Sequence, residues 1–365
     1  MNRNVKKILK LMTLLLILFS LSSCGYKDID KRFFVVSIGI DESKKRDQKY
    51  KVTLKLAVPA ADPKSGVPES VVVEEDSTTI TGAVRLMKSK IDKELDFSHA
   101  KIIVISKEVA ENNIKEVLDW FIRRRDIQKV AFLAIGEPSA KEILDIQPKS
   151  ERVPSNSLFL IFGKTGTESP YIVTEYLFDF WKRLREKGLD PLLPIIEVHD
   201  NGELFDVHKS ALFNKESLQT TLSTKETKVL RILMNRASKL DVEVKSQEDE
   251  QIFIAVDLAK TNIKINKETI DIDVQLEGIV EEATGHMDKS DIPKVKELAE
   301  KQVKERVEGL LQKIQKEELD PVGFGLLYRA SHSYKNEYED WLEMYPKIKF
   351  NVNVEMTLQG TGLLN

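Results

Sequence analysis

His99-Ala100-Lys101-Ile102-Ile103-Val104-Ile105 opens a run that continues as a helix and returns as a strand. Its last four residues are continuously apolar, as in a strand buried on both faces. Ile114, Val117, Leu118, Phe121 and Ile122 then recur at the spacing of one helix face, and Val130 to Ile135 is apolar again. This order predicts a mixed α/β unit, because a helix with one apolar stripe and a sheet with an apolar face bury each other. Arg123-Arg124-Arg125 closes the helix, where it could bind acidic lipid or a phosphate, although a solvated helix C-terminus, whose free carbonyls favour cations, accounts for it.

Toward the N-terminus, Phe33 to Asp41 reads as a buried strand, and Val52, Leu54, Leu56 and Val58 alternate as its half-buried partner. Pro59 to Pro68 reads as a loop. Val71-Val72-Val73 is a further strand, and a helix starting near Ser77 or Thr78 carries Ile80, Val84, Met87, Ile91 and Leu95 on one face. Toward the C-terminus the texture changes from Pro148 to Pro194, where Tyr171 to Lys187 is an aromatic helical segment in a small helical subdomain or connector. Leu193 to Val198 is a strand, and Asp200-Asn201-Gly202 is a hairpin turn into Leu204 to Phe213. Beyond it, Ile263 and Ile265, then Ile270, Ile272, Val274 and Leu276, alternate across a short polar turn as a hairpin. The terminal run Ile348 to Leu358 alternates likewise, and Pro293 to Lys316 is a long helix with Val295, Leu298, Val303, Val307 and Leu310 on one face.

The expected fold class is therefore α+β, mixed α/β and multi-domain. An N-terminal mixed α/β region precedes a sheet-rich C-terminal domain, an antiparallel sheet covered by long helices. The expected divisions are a signal peptide over 1–23, an N-terminal domain over 24–147, a helical connector or small middle domain over 148–198 and a C-terminal α+β domain over 199–365.

The first 23 residues read as a targeting segment. Arg3, Lys6, Lys7 and Lys10 precede an apolar run from Leu11 to Phe19 that is too short to span a bilayer. Leu21-Ser22-Ser23-Cys24 resembles a lipobox, so Cys24 is expected to become the first residue of the mature chain and to carry a diacylglyceryl group and a further acyl chain such as palmitate. Two or more acyl chains hold a protein stably on a bilayer where one does not. Cys24 is the only cysteine, so once lipidated it leaves no thiol for a disulfide-linked partner, a thiolate metal site or a nucleophile. An ordinary secretory signal with an incidental cysteine is the other reading of the segment. Its removal takes four of the 56 Lys and Arg and none of the 59 Asp and Glu, leaving a net charge of about −7. That balance argues against nucleic acid as a partner.

Catalytic and cofactor motifs are missing. Gly163-Lys164-Thr165 resembles the end of a phosphate-binding loop, but Leu158 stands where the first glycine is needed. Gly323-Phe324-Gly325 lacks the third glycine of a dinucleotide fingerprint, having Tyr328 there, and follows Asp320-Pro321 instead of a strand. It reads as a structural turn with Phe324 anchored in the core. His199, Asp200, Asp206 and His208 could gather a metal across the hairpin, although the Asp-Asn-Gly turn accounts for their polarity without one. The expectation is no metal, no cofactor and no enzyme activity.

Ser37-Ile38-Gly39-Ile40-Asp41, the His99 to Ile105 strand, Leu193-Pro194-Ile195, Ala211-Leu212-Phe213, and Asp320-Pro321-Val322-Gly323-Phe324-Gly325 with Trp341 downstream all stand behind the lipobox. In this order the chain resembles the Ger(x)C family, the lipoprotein C subunits of spore germinant receptors. Cys24-Gly25-Tyr26-Lys27-Asp28 stands where the family usually has a Cys-Trp-Asp type sequence, and glycines expected near Ser210 and Thr220 are absent. The resemblance implies a three-domain mixed α and β fold and a non-enzymatic, lipid-anchored subunit on the outer face of the spore's inner membrane. It would work with integral membrane A and B subunits in the germination response. An extracytoplasmic solute-binding lipoprotein is the alternative and would need two similar lobes around a cleft. A surface hydrolase would need a nucleophile constellation.

Overall fold

The computed structural model describes residues 31–57, 70–148, 154–163, 169–237, 239–246, 250–266, 268–285, 287–331 and 336–359, with 3–7, 10, 12 and 13 before them. The first half builds one large mixed sheet. Its strands are β1 (Arg32–Glu42), β2 (Tyr50–Ala57), β3 (Ser70–Ser77), β4 (Glu94–Asp96), β5 (Ile102–Ser106), β6 (Phe132–Glu137), β7 (Leu192–Val198), β8 (Phe205–Phe213) and β9 (Leu218–Leu222). They lie in the order β3-β2-β1-β5-β6-β7-β8-β9, with β4 beside the start of β1. β1, β5, β6 and β7 run parallel, while β2, β3, β8 and β9 extend the sheet by antiparallel pairing.

Alternation along the parallel strands sorts the core into two layers. Ile103 and Ile105 face α1 (Ile80–Lys88) and α2 (Lys107–Arg123), whereas Ile102 and Val104 face α3 (Ala140–Asp145) and α4 (Pro154–Phe162). Each connecting helix starts from a side-chain cap, Thr79 accepting from Gly82 N–H and Ser106 from Val109 N–H. α1 ends before Ile91 and Leu95, which the sequence places on its stripe. The N–H and hydroxyl of Ser89 both turn back to the Leu86 carbonyl and close the helix, and Leu95 lies in β4 instead.

The Ser37 to Asp41 stretch of β1 explains how α3, only six residues long, is held. A Cβ at Gly39 would lie 3.3 Å from both Ala140 Cβ and Leu144 Cδ2, so the bare backbone lets α3 sit close to the sheet. Asp41 then accepts the N–H groups of Ala140 at 2.7 Å and Lys141 at 2.9 Å, while the buried Lys55 of β2 donates to the Leu144 and Ile146 carbonyls, both at 2.7 Å. An anion at the positive end and a cation at the negative end match the helix dipole. Burial pushes the Lys55 ammonium down to about 8.

Tyr171 to Lys187 is helical only as α5 (Leu177–Arg185). The preceding backbone lies along β6 instead, with Leu133 N–H donating to Glu175 O at 3.0 Å and Leu177 N–H to Ala131 O at 2.9 Å. The Asp200-Asn201-Gly202 turn joins β7 to β8, with Gly202 at φ 69°. Residues 205–222 therefore continue the first sheet, and the division expected at 198/199 falls between two of its hydrogen-bonded strands. Pro194 is tolerated in β7 because pairing with β6 begins one residue later, at Ile195.

The second sheet, β10 (Leu240–Lys245), β11 (Gln251–Ile265), β12 (Thr269–Ala283) and β13 (Lys349–Leu358), lies in sequence order. It packs against α6 (Thr224–Leu233), α7 (Ile292–Lys316), α8 (Phe324–Ser331) and α9 (Glu337–Met344). The long hairpin and long helix follow the sequence reading closely. The sheet is not wholly antiparallel, however: β13 pairs with β12 in parallel, from Thr269 opposite Lys349 to Gly278 opposite Leu358. The cause is the connection, since α7 carries the chain back along the sheet before β13 begins and so makes a crossover instead of a hairpin. Leu192, Leu212 and Leu222 of the first sheet join the core beneath the second.

Replacing Asp41 by Ala leaves one buried and one part-buried N–H group of α3 without their acceptor, and the expected loss is about 1–3 kcal/mol in denaturant melts. A loss below about 0.5 kcal/mol would show that α3 does not depend on this cap.

Candidate functional site

Cys24, the one residue to which the sequence assigns a modification, lies outside the described residues, as do Lys164, Thr165, His286 and His332. The hairpin residues divide into two local pairs. His199 Nδ1 lies 2.9 Å from Asp206 Oδ2, and His208 Nε2 lies 3.8 Å from Glu197 Oε2, an oxygen pair that Lys209 also engages. The Asp206 carboxylate holds the His199 imidazole above its usual pKa. Among the described residues no group of three or more His, Cys, Asp or Glu is placed to hold a metal ion. Two of the three consecutive arginines are also engaged locally. Arg123 pairs with Asp119 and Arg124 with Asp126, and Arg124 lies over the rings of Phe97 and Trp120 at 4.3 and 4.9 Å.

The dense polar cluster lies where the two sheets meet, around Asp320-Pro321-Val322-Gly323-Phe324-Gly325. Asp320 is buried, and its carboxylate accepts the N–H groups of Gly323, Phe324 and Gly325 at 2.7, 2.9 and 2.7 Å, capping α8. Gly323 has φ 93°, a conformation that favours glycine. Asp320 N–H donates to Asp190 Oδ2 at 2.7 Å, and Asp190 N–H donates to the Asp320 carbonyl at 2.7 Å. Backbone then meets backbone: Leu326 N–H donates to Gly188 O at 2.8 Å, and a Cβ on Gly325 would lie 2.7 Å from Gly188 Cα and 2.5 Å from Trp341 Nε1.

Charged side chains surround this contact from both sides. Arg183 of α5 donates to the carbonyls of Asp190 at 2.9 Å and Pro321 at 3.0 Å, and its Nε lies 3.7 Å from Glu175 Oε1, which Arg236 also bonds. Lys215 lies 3.1 Å from Asp190 Oδ1 and donates to the carbonyls of Arg183 and Leu189. Burial pushes the Glu175 carboxyl up and the Arg183 guanidinium down, and their opposite charges partly offset this. At Asp320 complete burial outweighs the three N–H donors, and the neighbouring Asp190 charge adds to it, so the carboxyl is raised to about 7.

The sequence analysis anchors Phe324 in the core, and the structure places it there, fully buried with its ring 5.7 Å from Phe350. Trp341 is likewise buried, with its ring 5.0 Å from Tyr345, whose hydroxyl donates to Leu319 O at 2.7 Å. The network around Asp190 and Asp320 was not legible beforehand. Glu175, Arg183, Asp190, Lys215, Arg236 and Asp320 carry no shared spacing, and reading Tyr171 to Lys187 as one helix hid the inward turn of Glu175.

Fold and site together define a two-sheet α+β protein whose buried polar residues fasten its two sheets to one another. Residues 25–198 match the spore germination protein N-terminal domain family, and residues 208–362 match the family described as spore germination B3/GerAC like, C-terminal. The chain belongs to the Ger(x)C family of spore germination proteins. It is 24% identical to spore germination protein KC of Bacillus subtilis (strain 168), over 99% of this chain and 97% of that protein. Identity to spore germination protein B3 of the same organism is 24%, over 98% of this chain and 99% of that protein. The crystal structure of the GerBC protein superposes with a TM-score of 0.58 at 16% identity, covering 88% of this chain and 97% of that one, which establishes the shared fold.

Two measurements check the junction. Phe324→Ala is expected to cost about 3–5 kcal/mol in denaturant melts, and a loss below 1 kcal/mol would show that the ring does not anchor α8. Because the folded Asp320 carboxyl titrates at about 7 and the unfolded one near 4, the folded state binds its proton more tightly. The stability this contributes is fully present below about pH 4 and is lost as pH rises toward 7. Asp320→Asn is therefore expected to flatten the stability profile between those limits, and an unchanged slope would place the titration elsewhere.

Proposed function

We propose that this protein is a lipid-anchored, non-enzymatic C subunit of a nutrient germinant receptor, acting with integral membrane A and B subunits at the outer face of the spore's inner membrane. The observation that carries the reading is the match to both family segments, covering residues 25–198 and 208–362, directly behind the lipobox cysteine. No helix among the described residues is long and apolar enough to cross a membrane, which agrees with attachment through acyl chains. Tethering supports assembly because confinement beside membrane partners raises the effective concentration into the range of mM, so modest contacts suffice. The surface is suited to such contacts, since its shallow depressions are lined by charged side chains such as Lys301, Glu305 and Arg306, or Lys264, Asp271 and Lys304.

Cys24→Ala is expected to abolish lipidation and release the protein from membranes while leaving its fold and melting behaviour unchanged. Cell fractionation with mass analysis of the N-terminus checks this. Full membrane retention of a variant proved to lack lipid would overturn the tether, and failure of the wild-type protein to co-purify with multi-spanning partners from spore membranes would overturn the receptor role.

A further inference from the structure

The end of the first sheet from which its parallel strands start carries an exposed aromatic and apolar patch. The registers Ser37 with Ile102 and Ile102 with Phe132 put the starts of β1, β5 and β6 together, and β7 starts at the same end. Val130, just before β6, is 61% exposed, and Tyr176 and Phe178, at the start of α5, are 39% and 56% exposed. One set of contacts joins them to the chain's entry into the fold. Arg32 pairs with Asp96, Phe34 packs on His99, Gln128 bonds Ser98 O, and Phe178 N–H bonds Lys129 O at 3.0 Å.

α5 runs along this end. It enters beside β6, and the carbonyl of Arg183, near its other end, is bonded by Lys215, just beyond β8. Leu177, Phe180 and Leu184 face the core, so Phe178, Lys182 and Arg185 share the outward face, with half-buried Trp181 at its border against the core. Arg185 lies over the Trp181 ring at 4.9 Å, and Lys101 lies over Phe159 at 4.3 Å. The exposed cations are Lys101, Arg125, Lys182 and Arg185; of the nearby acids, Asp126 is held by Arg124, Asp119 by Arg123, Asp179 is half-buried, and Glu94 is exposed beside the start of β1. Aromatic rings interleaved with cations suit the boundary between headgroups and acyl chains, especially on an anionic leaflet.

The length of the leader selects the occupant. Six residues separate Cys24 from Lys31, and such a chain reaches at most about 25 Å. The geometry points to this end, with Val130, Tyr176 and Phe178 at its centre, as the surface that lies on the anionic lipid interface and fixes the orientation of the ectodomain. This rests on the lipid anchor proposed above. The opposite end of the sheet, where the Asp200-Asn201-Gly202 turn lies, then points away from the bilayer.

Once Cys24 is lipidated, an introduced cysteine is the only free thiol. Full-length protein carrying Phe178→Cys or Asn201→Cys is labelled with a fluorophore and placed in phosphatidylcholine vesicles with or without phosphatidylglycerol, using brominated lipid as quencher. Val130→Cys serves as a second probe of the patch should Phe178→Cys not fold. Quenching is expected to be several-fold stronger at 178 or 130 than at 201, and stronger with phosphatidylglycerol. Protein that floats with the vesicles but shows equal quenching at both ends overturns the orientation while leaving the anchor intact. Shielding of position 178 only when a membrane-spanning partner is co-reconstituted overturns it too and gives the patch to a protein. Wild-type protein that fails to float removes the anchor, and the orientation with it.

Discussion

Asp320 directs both carboxylate oxygens to the backbone at the start of α8, while its own N–H and carbonyl bond Asp190 from the end of the other sheet. One residue thereby ends the α7 connection, starts α8 and ties the two sheets together. Its burial carries a desolvation cost, which the three N–H donors reduce without removing. The closeness of the surrounding backbone depends on it: Gly188 and Gly325 meet where no Cβ fits, and Trp341 and Phe324 fill the space on the side of the second core. A junction packed this tightly moves as a unit, because a close-packed core transmits displacement instead of absorbing it.

Where apolar residues alternated over long runs, the sequence was a good guide. Ile270 to Leu276 and Val352 to Met356 are buried on the face their period predicts, and α7 begins and ends within one residue of its expected bounds. What periodicity cannot express is direction, since a strand that alternates does so equally in a parallel or an antiparallel pair. β13 was therefore assigned the right residues in the wrong orientation. α3 went unseen for a different reason: six residues make too little helix to display a stripe, and its ends are fixed by Asp41 and Lys55, 89 to 100 residues earlier in the chain.

The residues that suggested the family now have physical reasons. Gly39 gives α3 room and Asp41 caps it, Pro194 sits where β7 has not yet joined β6, and Asp320 to Gly325 form the joint. These are architectural roles, which explains why no single one of the short stretches reads as chemistry. The proposed lipid site is the opposite case, resting on Leu21-Ser22-Ser23-Cys24 alone, because a processing signal is read as an extended sequence and needs no fold.

β13 ends the second sheet, and the N–H of Met356 faces away from β12, toward Glu300 of α7, whose carboxylate accepts it at 2.9 Å. An open strand edge is a template on which another chain can add. A bare edge would therefore invite one copy to zip onto the next. The acidic side chain occupies the donor, and Lys296 lies 3.7 Å from the same carboxylate oxygen. One glutamate on a neighbouring helix thereby takes up a backbone donor that an added strand would otherwise use.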